Sequence, residues 1–316
     1  MVLTEAQLKW KLLNGVICVY KNAGISVNNV RRTLIGHICE DLCKLESRPP
    51  LNHVYIEGDP AKSLTVSVAP KYSDSPLVTG PRYQPQDVRC SWATILGRDT
   101  SGVFVIGINK GARAAQKFHL SRPTRSYHIK GQLGYATDTY FRDGKVVEKA
   151  TFGHVKQAKL DRVLASVQAA HQKHMFQQAG VDIQSQTAYE LASRGMIRPP
   201  ANTVPLLYNV RCTYFNPPDF TLEVTCINEY ESYLKTLIHD IGIQLHTCAT
   251  CTGIHCIRHG LFTLEHALLP KHWHLKHILD SMQECHQLIQ QTVNNTVENT
   301  SPTLVPAEEQ KNSVVN

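Results

Sequence analysis

Two stretches of this 316-residue chain carry side chains with chemistry to offer. One is Leu96-Gly97-Arg98-Asp99-Thr100-Ser101-Gly102-Val103, where a single carboxylate stands between two glycines. Glycine frees the backbone there, and an aspartate in such a turn commonly accepts backbone hydrogen bonds. The other is Cys248-Ala249-Thr250-Cys251, followed by His255, Cys256 and His259. Thiols and imidazoles are the ligands zinc prefers. Adjacent residues of a strand point to opposite faces, so His255 and Cys256 converge poorly on one ion. Buried thiols acting as small apolar groups suit the stretch better. Arg98, Lys110, Arg113, Lys117, Arg122, Arg125 and Lys130 surround the first stretch in sequence. Such side chains contact phosphate oxygens where they are not simply solvated. The run from Lys271 to His277 reads as a solvated helix start.

The elements that must position these residues belong to an ordinary globular chain. Apolar residues make up 42% of it, enough for a substantial core. The net charge of +7 and pI near 8.8 suit a polyanionic partner, most simply RNA. Ten scattered cysteines without a secretory leader point to reduced thiols in a cytosolic or matrix compartment. No apolar run is long enough to span a membrane. Met1 to Asn14 reads first as a plain helix and second as a weak mitochondrial address.

Val16–Tyr20, Leu64–Val68, Val103–Ile108, Tyr127–Leu133 and Phe220–Val224 have strand patterns. Val30–Leu45, Lys156–Gln172, Tyr230–Leu245 and His277–Thr292 show helical spacing. Pro49-Pro50 stops the first of these helices, and Pro70 to Pro85 reads as loop. Strands and helices do not alternate regularly, which predicts an α+β fold over a doubly wound sheet.

Several segments, taken in order, resemble the TruB-like pseudouridine synthases, most closely their animal mitochondrial branch. Tyr20-Lys21-Asn22-Ala23-Gly24 is similar to the family's Lys-Pro-x-Gly. Leu96 to Gly102 resembles Leu-Asp-Pro-x-Ala-Thr-Gly. Thr124 to Tyr127, Leu133 to Thr139 and Asp143-Gly144 resemble Lys-Arg-Tyr, Leu-Gly-x-x-Thr-Asp-Thr and Asp-Gly. Ala188 to Gly195 looks like Leu-Tyr-Glu-x-Ala-Arg-x-Gly, and Cys226 to Gly242 like the helix that opens Gly-Thr-Tyr-Ile-Arg. Phe262 to Ala267 resembles a motif near the domain's end.

The resemblance implies a mixed, largely antiparallel sheet with flanking helices around an RNA-binding cleft. It implies one catalytic domain over residues 1–275; beyond it, helical spacing gives a C-terminal helix over 276–293, and the polar stretch 294–316 reads as a disordered tail. The resemblance further implies isomerisation of uridine to pseudouridine in transfer RNA or mitochondrial messenger RNA, without cofactor or metal. The compartment implied is the mitochondrial matrix, with cytoplasm or nucleus as the alternative. A flipped base, a carboxylate beside the ribose, an aromatic face and a cation that holds the carboxylate ionised are what the reaction uses. Carried over, Tyr127 matches the tyrosine that stacks on the base, Tyr233 the tyrosine of Gly-Thr-Tyr-Ile-Arg, and Lys235 the arginine paired with the carboxylate. Ile254 matches the leucine of the family's Leu-Arg-Arg and is a candidate substrate contact, and Arg98, Arg125 and Lys130 are candidate RNA contacts.

Three departures accompany the match. Gly97 holds the place of the family's catalytic Asp, Lys235 replaces Arg, and His255-Cys256 replace two arginines. Asp99 is the candidate substitute, two residues downstream. In an extended segment that shift displaces a carboxylate by up to roughly 7 Å, whereas misplacement by about 1 Å can cost about a hundredfold. Asp99 therefore serves only if the loop shortens the path. If it does not, the chain is an RNA-binding or chaperone protein that keeps the fold without the reaction.

Overall fold

The sheet is joined at its middle by a strand from late in the chain, residues 249–259, which lies between residues 100–108 and 125–133. This arrangement is seen in a computed structural model that describes residues 3–47, 51–59, 61, 63–72, 75–178, 180–193 and 204–299. Among these residues the first strands are β1 (Gly15–Lys21), β2 (Asn52–Glu57), β3 (Thr65–Pro70), β4 (Cys90–Trp92), β5 (Thr100–Ile108) and β6 (Arg125–Leu133). They are followed by β7 (Tyr135–Thr137), β8 (Val146–Lys149), β9 (Leu206–Asn216), β10 (Asp219–Ile227), β11 (Ala249–His259) and β12 (Phe262–Thr263). The helices are α1 (Glu5–Leu12), α2 (Val27–Lys44), α3 (Pro76–Thr79), α4 (Gly111–Leu120), α5 (Gln157–Gln178), α6 (Gln186–Ser193), α7 (Glu231–Gln244) and α8 (Leu275–Asn299).

The main sheet has eight strands in the order β1-β5-β11-β6-β10-β9, with β4 on β5 and β12 on β11. All its pairings are antiparallel except β5 with β11, where Ile254 faces Thr100 and Cys256 faces Gly102. Val103 to Ile108 are buried throughout, as a strand covered on both faces requires. β2–β3 and β7–β8 form separate two-stranded hairpins.

Helices cover the sheet where their apolar stripes allow. In α2, Val30, Leu34, Ile38 and Leu42 are buried, and Ser26 caps the helix by accepting from the Asn29 amide at 3.2 Å. In α7, Leu234, Leu237, Ile238 and Ile241 are buried and the helix packs on β11. Each such side chain contributes roughly 1.5–3 kcal/mol by burial. α5 packs on β9 and α4 on β5. α8 packs on β1 and contributes Ile278, Met282 and Cys285 to the same core.

The α+β architecture and its largely antiparallel sheet match the sequence reading. Residues 70–85 hold one turn of helix, α3, in the stretch read as loop. The last helix starts at Leu275 and runs through 294–299, part of the stretch read as tail. The rest of that tail, 300–316, lies outside the described residues, as do Arg194 and Gly195 of the motif that forms α6.

Gly102 adopts φ +116°, and a Cβ there would collide with the Cys256 carbonyl oxygen. The parallel β5–β11 contact that sets Asp99 beside the sheet thus needs glycine at this position. Gly102→Ala is expected to destabilise the protein by at least about 2 kcal/mol in urea unfolding; an unchanged midpoint would contradict this.

Candidate active site

The residues before β5 do not run extended: the backbone bends at Arg98-Asp99, which brings the Asp99 side chain back toward α7. Asp99 Oδ2 accepts a hydrogen bond from Lys235 Nζ at 2.6 Å, from 136 positions away. The two side chains are 26% and 12% exposed, so the pair is largely shielded but open on one side. The roughly 7 Å displacement applies to an extended segment, which residues 98–99 do not form.

Lys235 stands in the second turn of α7, one turn after Glu231, whose Oε1 it meets at 3.0 Å. Such i, i+4 Glu-Lys spacing brings side chains together on a helix. Glu231 Oε2 in turn accepts from the Asp99 amide at 2.9 Å, the Thr100 amide at 2.9 Å and the Thr100 hydroxyl at 2.8 Å. Burial works against the Lys235 ammonium, yet its bonds to Asp99 and Glu231, and their charges, outweigh that and raise its pKa.

A second clamp holds the same loop from β1. Lys21 is fully buried, and its Nζ donates to the carbonyls of Asn22 at 3.2 Å, Arg98 at 3.1 Å and Thr100 at 2.7 Å. Burial lowers its pKa to about 8, against the opposing pull of Glu231 and Asp99. The Gly24 amide donates to the Arg98 carbonyl at 2.8 Å, and Arg98 Nε returns a bond to the Gly24 carbonyl at 3.3 Å. The segment Tyr20 to Gly24 therefore acts as the brace of the Asp99 loop.

The turn from Asp138 to Gly144 supplies a third wall. Thr137 Oγ1 donates to the Phe141 carbonyl at 2.8 Å, and Asp138 accepts from the Lys145 amide at 2.9 Å. That turn sets the Phe141 ring 4.5 Å from Lys235 Nζ, in cation–π range.

The other predicted residues are placed differently. Tyr127 is buried, and its hydroxyl donates to Glu229 Oε1 at 2.7 Å. Burial pushes its pKa well up. Arg125 is also buried and ion-paired with Glu229. Burial disfavours its charge, but Tyr127 and Glu229 outweigh that and raise its pKa. Tyr233 is half-buried, with its hydroxyl 3.2 Å from His171 Nε2. Ile254 is buried in register with Thr100. Arg98 and Lys130 are exposed. The structure thus brings Asp99 and Lys235 together and holds Arg125 and Tyr127 in a separate buried cluster around Glu229. A cavity of about 420 Å³ lies between the Thr94-Ile95 stretch and that cluster, lined also by His119, Arg122 and Tyr230.

All ten cysteines are free. Cys251 and Cys256 are buried on β11, and burial pushes both thiols up to about 12. Among the described residues no three His, Cys, Asp or Glu side chains are grouped to hold a metal ion.

Residues 87–231 match the model of the TruB family pseudouridylate synthase (N terminal domain). Across 283 residues the chain is 36% identical to the mitochondrial pseudouridylate synthase TRUB2 of Xenopus tropicalis, covering 87% of this chain and 86% of that protein. The chain belongs to the TruB family of pseudouridylate synthases. The TRUB2 of Homo sapiens is 37% identical over 278 residues, covering 86% of this chain and 83% of its own length. The TRUB1 of Homo sapiens is 30% identical over 190 residues, 59% of this chain and 53% of that protein.

Within this TruB-family site, the sequence marks Lys21 only as part of the Tyr20–Gly24 motif and assigns Glu231 no motif role. The Glu231–Lys235 spacing was visible in the sequence, but the loop amides that Glu231 receives were not. Lys21 offers a pH test. Its folded pKa, about 8, lies below the ordinary 10.5. Between those values the unfolded chain holds a proton that the folded chain has released, so stability from this position rises with pH across that window and is level below it. Urea unfolding at pH 7.5 and 9.5 should show the parent protein gaining on Lys21→Met at the higher pH; a parallel response of the two would rule this out.

Proposed function

We propose that this chain converts uridine to pseudouridine in RNA, with Asp99 as the reacting carboxylate and Lys235 as the cation that holds it ionised. The 2.6 Å contact between Asp99 Oδ2 and Lys235 Nζ carries the reading. It supplies a carboxylate–cation pair of the type the reaction uses, built from the loop and the helix in which the family motifs lie. Oδ1 of Asp99 has no partner among the described residues and is the oxygen available to a ribose.

In this reading the N1–C1′ bond of an extruded uridine breaks with help from Asp99, as nucleophile or base. The uracil turns, C5–C1′ forms, C5 loses its proton and N1 gains one. Product and substrate are isomers, so no co-reactant is consumed. The net charge of +7 favours RNA as partner. The TRUB2 relatives are named mitochondrial, which supports placing this chain in mitochondria; the finer proposal is the matrix, with transfer RNA or messenger RNA there as substrate.

A second reading, RNA capture without turnover, is favoured by two observations. Gly97 holds the family's carboxylate position, and Tyr127 is covered, with its hydroxyl on Glu229. Mass spectrometry of RNA incubated with the parent protein and with Asp99→Asn separates the two. Conversion by the parent and a loss of at least about a thousandfold in the variant are expected. Equal conversion by both removes Asp99 from the chemistry, and RNA binding by the parent with no conversion selects capture.

A further inference from the structure

The residue that explains the departures of this site is Glu231. A Cβ built on Gly97 would collide with Oε2, Cδ and Cβ of Glu231, so the Glu231 side chain occupies the space that any larger residue at 97 would need. The register that sets Tyr233 and Lys235 on the tyrosine and arginine of Gly-Thr-Tyr-Ile-Arg sets Glu231 on that motif's glycine. Across one contact, then, the loop carries glycine and the helix carries a carboxylate, where the family motifs carry the reverse.

Both Glu231 oxygens are committed. Oε1 meets Lys235 at 3.0 Å, and Oε2 receives the amides of Asp99 and Thr100 and the Thr100 hydroxyl at 2.8–2.9 Å. With its side chain 16% exposed and both oxygens engaged, Glu231 has little left for a substrate. Asp99 is the more exposed of the two and keeps one oxygen open. Lysine at 235 also follows. Its compact ammonium carries three donors that can reach two carboxylates in different directions, whereas the planar arginine fork suits a single bidentate partner.

We infer that Glu231 is a positioning residue: it fills the space above Gly97, fixes the backbone of residues 97–100, and so turns Asp99 onto Lys235. The catalytic half of this inference rests on the Asp99 reading proposed above; the packing half does not.

Melting temperatures of the parent, Gly97→Ala, Glu231→Ala and the double variant test the packing half. Gly97→Ala should lower the melting temperature clearly in the parent and by much less in the Glu231→Ala background. Equal losses in both backgrounds overturn the inference. Should Gly97→Ala alone fail to fold, recovery of folded protein in the double variant supports it, and failure of the double variant beside a folded Glu231→Ala overturns it.

Steady-state conversion of RNA tests the catalytic half. Glu231→Ala should lower kcat at least tenfold with KM unchanged, and Glu231→Gln should restore part of it, because the amide oxygen still accepts from the loop. An unchanged kcat, or a loss confined to KM, overturns the positioning role. If the parent protein converts no RNA, the Asp99 reading fails on its own and the melting comparison alone decides the inference.

Discussion

One ammonium group serves two carboxylates, and the site is arranged around that sharing. Lys235 reaches Asp99 on the loop and Glu231 on its own helix, with the Phe141 ring beside it. Two anions in a partly shielded place repel unless a cation sits between them. Removing the cation would leave both carboxylates short of solvent and unpaired. The loop between them has little freedom, because Lys21 grips its carbonyls from the β1 side while Glu231 grips its amides from the α7 side. Backbone donors and acceptors are both satisfied by charged side chains, the stronger kind of hydrogen bond.

This arrangement changes what Gly97 signifies. Set against the family motif alone, a glycine at the carboxylate position looks like loss, with lysine for arginine as a second sign of it. In three dimensions the two replacements and Glu231 make one consistent set. The glycine gives Glu231 room, the glutamate bends the loop, the bend delivers Asp99, and the lysine binds both acids. The buried Tyr127–Glu229–Arg125 cluster is a separate matter. It fills the start of β6 with a charged network whose hydroxyl and guanidinium meet the same glutamate oxygen.

Much of the fold was legible in the sequence because periodicity reports burial. α2, α5 and α7 show their apolar stripes, and the run at Val103–Ile108 declares a strand with no exposed face. α4 is less legible: its fully buried positions are the small residues Gly111 and Ala115, with Phe118 as the one large apolar side chain against the core. β9 escaped because it lies at the sheet's edge, where mixed exposure blurs alternation. In the site, ordered motifs pointed to Asp99 and Lys235, but pairing them required the bend at 98–99, a property of the folded loop. Neither the Glu231–Lys235 spacing nor the Tyr20–Gly24 motif discloses what Glu231 and Lys21 hold, since each acts on backbone groups that come within reach only after the sheet has formed.

The place of β11 in the sheet has a bearing on synthesis. It is the last long strand among the described residues, yet it fills the centre, between β5 and β6. Until about residue 259 leaves the ribosome, β1–β5, with β4 on one end of β5, and β6–β10–β9 lack the strand that joins them. Each then offers an open strand edge, the kind of surface that pairs with foreign chains. A nascent polypeptide of this design has its greatest need of chaperone cover while most of its length is already made, and a nonsense codon shortly before β11 would leave an adhesive fragment in place of a smaller working domain.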